Sequence, residues 1–172
     1  GEARFGRLIE LAGATRPMHI DGISGLGRLP HQVLVEGFAG IPVSPRYGVR
    51  SYDWVVGARV AKALPRNTRV GLAYLHAVDG DALANQEVAV DAMSQAKPWL
   101  DLAGSAAYDM MYYGLSEGRL SAVARRGNWR TELFASHRST SRLLPATSLF
   151  SVLGDVASQK LGSNVRWRAA PR

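Results

Sequence analysis

The chain has 172 residues, 47% of them hydrophobic and 20% charged, which suits one folded domain and is too polar for a bundle of membrane helices. Cysteine is absent, which excludes disulfides and thiolate chemistry. The formal net charge is +7, but the basic residues are scattered among Asp and Glu, so we do not expect nucleic acid as a partner.

Alternation with a period of two predicts β-strands from the first residues onward. The N-terminal third is expected to form strands over 3–13, 17–28 and 31–41, with a turn at 28–31. A clear hairpin follows over 52–64 and 69–74. Its turn is Pro-Arg-Asn-Thr at 65–68, a sequence typical of tight turns.

The same alternation continues to the end of the chain. Further strands are predicted over 87–92, 100–110, 119–125, 130–136 and 160–168. Short turns near 29, 66, 97 and 127 alternate with longer links at 42–50, 79–82, 112–117 and 139–154. The sequence therefore predicts an all-β protein, an antiparallel up-and-down meander of about ten strands. Closure into a β-barrel is expected because it removes the free edges of the sheet.

Alternation alone does not say which face of the sheet meets the solvent, and it leaves two interpretations open. A water-soluble barrel would bind an apolar ligand in a dry lumen lined by Val33, Val56, Leu72, Val90 and Leu102. A membrane barrel would turn those residues to lipid and its charged residues inward. With the residues that flank these alternating segments, the strands are expected to be roughly 9 to 15 residues long, which matches the length that crosses a bilayer and favours the membrane.

Large aromatic residues stand at predicted strand ends, as they do at membrane interfaces. Trp54 opens a strand after a long link, and Trp99 and Trp129 directly follow tight turns. The predicted membrane-interface aromatics are Trp54, Trp99, Tyr112, Trp129 and Trp167.

On these strands, turns and terminal aromatics, from about residue 18 to 168, the chain resembles the outer-membrane β-barrels of Gram-negative bacteria, in particular their porin-like members. The resemblance implies one membrane β-barrel domain over 1–172 in the outer membrane with a passive role. That role is a pore for small polar or anionic solutes, or a plugged structural barrel. Such barrels commonly end in a strand that closes on an aromatic residue, whereas this chain ends Arg-Ala-Ala-Pro-Arg at 168–172, so a segment of a larger barrel stays an alternative.

The charged face supplies the candidate functional residues. The predicted lumen-facing residues are Arg59, Arg69, Glu87, Asp91, Asp101, Asp109, Glu117, Arg119, Arg125, Arg130, Glu132 and Arg166, together with Glu36, Lys160 and Arg168. In a narrow barrel they would pair into a salt-bridged plug. In a wider barrel they would line a pore with an acidic side near 87–109 and an Arg-rich side near 119–130 and 166–168, which would weakly favour anions.

The sequence points to no enzyme. No catalytic residue, metal site or cofactor is predicted, because the four histidines lack metal-ligand spacing. A minor alternative is an enzyme at the barrel rim that uses His137, beside Ser136. The long link at 139–154 is a candidate constriction or a surface for a protein partner. The expected partners are otherwise the lipid bilayer and small solutes.

Overall fold

The computed structural model describes residues 1–43, 54–80, 82–139 and 157–169. These residues form one ten-stranded sheet. Its strands are β1 (Glu2–Glu10), β2 (Met18–Leu29), β3 (Val33–Pro42), β4 (Trp54–Leu64), β5 (Thr68–Asp79), β6 (Ala82–Lys97), β7 (Leu100–Asp109), β8 (Gly114–Arg126), β9 (Trp129–Arg138) and β10 (Ser158–Trp167). A short 3₁₀ turn, Pro30–Gln32, joins β2 to β3.

Each strand pairs antiparallel with the next along the chain, in the order β1 to β10. The predicted all-β meander is therefore confirmed. Within the described residues β1 and β10 each have a neighbour on one side only, so the sheet is open. Closure into a barrel stays a prediction.

Most short connections lie at one end of the strands and the longer links at the other; the connection from Asp79 of β5 to Ala82 of β6 is short but lies with the longer links. The tight turns at 30–32, 65–67, 98–99 and 127–128 are at one end, which we call the turn end; the links at 11–17 and 110–113 are at the other, the link end. Left-handed φ angles of 61° at Arg66 and 50° at Asn67 close one of these turns, a conformation that asparagine tolerates well.

Three sequence predictions are wrong in detail. The link expected at 79–82 is only residues 80–81, and the link expected at 112–117 is 110–113. The strand predicted over 3–13 ends at Glu10, and the chain then leaves the sheet until Met18. The link expected at 42–50 lies almost wholly outside the described residues.

The two faces of the sheet differ in chemistry and in exposure. One face, here called the covered face, includes Val55, Ala73, Leu75 and Ala89, none of them more than 2% exposed. The opposite, exposed face is apolar: Leu72 is 58% exposed and Leu161 is 88% exposed. The larger apolar side chains thus lie on the side that the protein leaves uncovered.

Residues 11–17 fold back over the covered face. Ala12 and Thr15 are buried, and Ala12 belongs to the same apolar cluster as Leu75 on β5 and Ala107 on β7. The Thr15 side chain donates a hydrogen bond to the Ala12 carbonyl at 2.8 Å, which holds the link in a compact turn. The core of the protein is therefore formed between this link and strands β2 to β7, with Ile20 of β2 and Phe38 of β3 among its buried residues.

Candidate functional site on the covered face

The strand registers place the predicted lumen-facing residues on one face. Glu36 is paired with Arg59, Arg59 with Ala73, and Ala73 with Ala89. The same alternation continues through β7 to β10, so this face carries Arg59, Arg69, Glu87, Asp91, Asp101, Asp109, Glu117, Arg119, Arg125, Arg130, Glu132, Lys160 and Arg166. All of them lie on the covered face; whether that face lines a lumen stays a prediction.

Arg59 is the centre of an ion-pair network on β3, β4 and β6. Its guanidinium donates to Asp91 at 3.0 and 2.7 Å and to Glu36 at 3.2 Å. The Arg59 side chain is only 11% exposed. Asp91 lies two strands away, and the contact passes over Gly71 on β5, where a Cβ would be 2.7 Å from Asp91 Oδ1. A larger residue at Gly71 would displace this ion pair.

A second contact fastens the 11–17 link to β6. Glu87 is fully buried, and its carboxylate accepts hydrogen bonds from the Arg16 backbone N–H at 2.9 Å and from the Arg16 guanidinium at 3.3 Å. Gly13 packs directly on the Arg59 and Asp91 side chains. The link therefore fills the covered face over β4 to β6. The charged side chains beneath it are buried as the ion pairs Arg16–Glu87 and Arg59–Asp91, which avoids the high cost of burying an isolated charge.

Asp109 has a structural role at the end of β7. Its Oδ1 accepts the backbone N–H groups of Met111 and Tyr112 at 2.9 and 3.2 Å, and so it shapes the 110–113 link. Asp109 is paired in register with Glu87, so the most deeply buried acids of the face stand side by side near the link end. Glu87 and Asp109 are among the acids that the sequence predicts near 87–109, and their lining of a pore stays a prediction.

The opposite side, on β8 to β10, is rich in cations. Glu117 accepts hydrogen bonds from Arg119 Nε at 2.6 Å and from Arg138 Nη2 at 3.2 Å, and it is only 7% exposed. Ser136 is paired in register with Arg119 on one side and with Lys160 on the other. Within the described residues Lys160 makes no ion pair. We call Arg119, Arg138 and Lys160 the basic cluster.

A second group of cations lies at the turn end of the same strands. Arg125, Arg130 and Arg166 are register neighbours on β8, β9 and β10. Arg125 forms an ion pair with Asp101 of β7. In the described part of the chain no ion pair involves Arg69, Arg130, Glu132 or Arg166. The sequence predicts that these four residues join a salt-bridged network, and the observed ion pairs leave them out. Arg168 follows the last strand.

Two adjoining cavities run along the covered face. One, of ≈ 670 Å³, lies between the 11–17 link and β8 to β9, with Arg59 and Asp91 in its wall. The other, of ≈ 560 Å³, extends to β10 and is lined by the basic cluster, Ser105, Ser136 and Ser158. Glu117, Arg119 and Arg138 line both cavities, which therefore form one polar trough.

The predicted interface aromatics lie at the strand ends, as expected. Trp129 and Trp167 are paired at the turn end, with ring centroids 6.1 Å apart. Trp99 is at the same end, with the Lys97 ammonium 5.4 Å from its ring. At the link end Trp54 packs on His76 at 5.1 Å. Tyr112, in the 110–113 link, is 64% exposed.

One ion pair stands on the exposed face, which sequence reasoning had expected to lack charge across its middle. Arg7 of β1 donates to Asp21 of β2 through two hydrogen bonds of 2.9 Å. Asp21 pairs with Ile41, which is the neighbour in sequence of Gly40, and Gly40 pairs with Val55. The ion pair therefore lies about level with Trp54, the first residue of β4. This position is near the link end and away from the middle of the strands.

Neither Arg16 nor Arg138 is among the residues predicted from the sequence. Arg16 lies outside the strands, so alternation carries no signal for it. Arg138 is two residues beyond the predicted end of its strand at 136, although continued alternation would have placed it on the face of Ser136.

The alternative of a rim enzyme gains no support from the geometry. Ser136 and His137 are consecutive in β9, so their side chains point to opposite faces of the sheet. Within the described ranges no three histidine or acidic side chains converge as a metal site. Of the long link at 139–154 only Ser139 belongs to the described residues. Its predicted roles as a constriction or as a surface for a partner therefore stay predictions.

Comparison of the chain with protein-family models, with curated proteins and with solved structures gave no match. In the described part of the chain no helix is long and apolar enough to cross a membrane.

Proposed function

We propose that the chain is a β-barrel protein of an outer membrane with a passive role, which lets small polar or anionic solutes pass along its covered face. The observation that carries this proposal is the distribution of polarity over the sheet. Leu72, Val90 and Leu161 are on the exposed face, while Arg59, Glu87 and Glu117 are turned to the covered face. Lipid is the solvent that favours this arrangement.

The geometry of the exposed face fits a bilayer. From Trp54 to Leu64 strand β4 rises about 33 Å at roughly 3.3 Å per residue. With strands tilted by about 40°, as in membrane barrels, that length spans about 25 Å of depth, the height of the apolar band in this class. Aromatic residues at both ends of the strands suit the two interfaces of such a band. In the proposed barrel β1 and β10 pair with each other or with further strands.

The covered face supports a partly filled lumen. The 11–17 link and the Arg59 network occupy the part over β4 to β6, whereas the polar trough extends over β6 to β10. A trough with Asp91 of β6 and Glu117 of β8 in its wall, and with cations on β8 to β10, attracts charged solutes without a dedicated apolar pocket. The proposed function is therefore solute passage along the cationic side.

A water-soluble barrel with an apolar ligand is less consistent with the same face assignment. Its dry cavity would be lined by residues such as Leu72, Val90 and Leu102, which are 58%, 49% and 41% exposed. They lie on the side opposite to Ala73, Ala89 and Ala107, which the protein itself covers.

Electrical recording tests the proposed function. The full chain, refolded into detergent, is added to a planar lipid bilayer with a tenfold KCl gradient across it. We expect discrete conductance steps and a reversal potential on the chloride side. The matched variant Arg119→Gln should shift the reversal potential toward zero, because it removes a cation from the wall of the trough. Folded protein that gives no conductance, or a pore that prefers potassium, would contradict the proposal.

A further inference from the structure

The basic cluster has the geometry of an oxyanion site. Ser105, Arg119, Ser136 and Lys160 form one row across β7 to β10 through successive register pairs. Adjacent strands in such a row are about 4.8 Å apart. Arg138 lies two residues beyond Ser136 on β9, toward the link end and on the same face, and is paired in register with Ser158. Cations thus surround the Ser136 hydroxyl on both neighbouring strands and along its own.

Glu117 fixes the two guanidinium groups without using all of their donors. Glu117 Oε1 contacts Nε and Nη2 of Arg119 and Nη2 of Arg138, whereas each guanidinium has five N–H donors. Both arginines line the cavity of ≈ 560 Å³. Glu117 is one negative charge among the three positive charges of the cluster, and Asp91, the other acid in this cavity wall, is occupied by Arg59. The cluster therefore keeps an excess of positive charge.

We propose that the basic cluster binds a phosphate group, either as inorganic phosphate or as the phosphate of a small organic solute. A phosphate has three or four oxygens that accept hydrogen bonds, which matches guanidinium, ammonium and serine hydroxyl donors that approach from different strands. This inference rests on the proposed function: a phosphate group is the feature by which the trough would select the solutes that pass.

The cations at the turn end provide a matched control. Arg166 is on β10, on the same face as Lys160 and six residues further along. That separation is about 20 Å along a strand, beyond the reach of a ligand held by the basic cluster. Removal of Arg166 changes the net charge of the chain by the same amount as removal of Lys160, so it separates a local site from a general attraction of anions.

The test is calorimetric titration of the full chain, refolded in detergent micelles at pH 8 and low salt, with inorganic phosphate, glycerol phosphate and acetate. We expect both phosphates to bind, and acetate at least about tenfold more weakly, because it offers fewer acceptors and less charge. Lys160→Gln and Arg138→Gln should each weaken phosphate binding by about tenfold, the typical effect of one charge-assisted hydrogen bond. Arg166→Gln should leave it within about twofold.

Circular dichroism and gel mobility of each variant establish that it is folded. A folded wild-type chain that binds neither phosphate, or binds acetate equally well, would overturn the proposal. Equal losses in Lys160→Gln and Arg166→Gln would overturn it too, because the attraction would then be general. Phosphate binding without any conductance would retain the site and reject the proposed pore, so the two proposals fail separately.

Discussion

A charge placed in the middle of the exposed face should distinguish lipid from water. Leu72 is 58% exposed and is paired with Val60 of β4 and Val90 of β6. Val60 is six residues from Trp54, about 20 Å along the strand or roughly 15 Å of depth at a tilt of about 40°. Leu72 therefore lies near the midplane of the proposed apolar band.

At that depth Leu72→Arg should lower the free energy of unfolding by about 2–4 kcal/mol, the cost of arginine at the midplane of a membrane barrel. Leu64→Arg is the matched control: Leu64 is 40% exposed and ends β4 next to the tight turn, where the cost should be about 0–1 kcal/mol. The assay is urea unfolding of protein folded into lipid vesicles, followed by tryptophan fluorescence. In water an exposed leucine usually tolerates arginine within about 0.5 kcal/mol. A Leu72→Arg effect that small, or one no larger than that of Leu64→Arg, would refute the assignment of this face to lipid.

Three further predictions concern the covered face and the strands around it. Arg59→Met should lower the free energy of unfolding by about 3 kcal/mol in a urea titration, because it leaves two partly buried carboxylates without their cation; an effect below about 1 kcal/mol would contradict the network. Gly22→Ala should destabilise the protein by more than about 2 kcal/mol, since its Cβ would lie 2.2 Å from a backbone oxygen. At the control position Gly25 the nearest atom is 3.7 Å from an added Cβ, so Gly25→Ala should cost under about 1 kcal/mol. Equal effects of the two substitutions in the same titration would contradict the packing around Gly22. In this cysteine-free chain Thr15→Cys should resist maleimide labelling while Tyr113→Cys, at an 83% exposed position, reacts quickly; equal labelling rates would show that the 11–17 link does not cover the face.

The meander was predictable because each strand signals itself locally. In β4 and β5 apolar residues alternate with small and charged ones, and the turn residues between them have the conformational freedom that a tight hairpin needs. The shared face of the charged residues followed from the same alternation. Pairing between β8, β9 and β10 then brought the basic cluster together without any motif in the sequence.

The 11–17 link could not be predicted by the same means. Leu11 and Ala12 continue a run of strand-like residues, so the sequence suggested a strand to residue 13. A tertiary contact holds this segment away from the sheet. The carboxylate of Glu87, 71 residues away in sequence, accepts hydrogen bonds from Arg16. Whether the sheet closes also depends on pairing between strands that are distant in sequence, which no local pattern reports.

Folding in two solvents shows directly whether the exposed apolar face meets lipid. The purified chain is diluted from urea into detergent micelles and, separately, into plain buffer. Each sample is then run on a gel with and without boiling. We expect a fast-migrating folded band that appears only with detergent and disappears on boiling. A monomer that folds in plain buffer, with the same circular dichroism as in detergent, would contradict it.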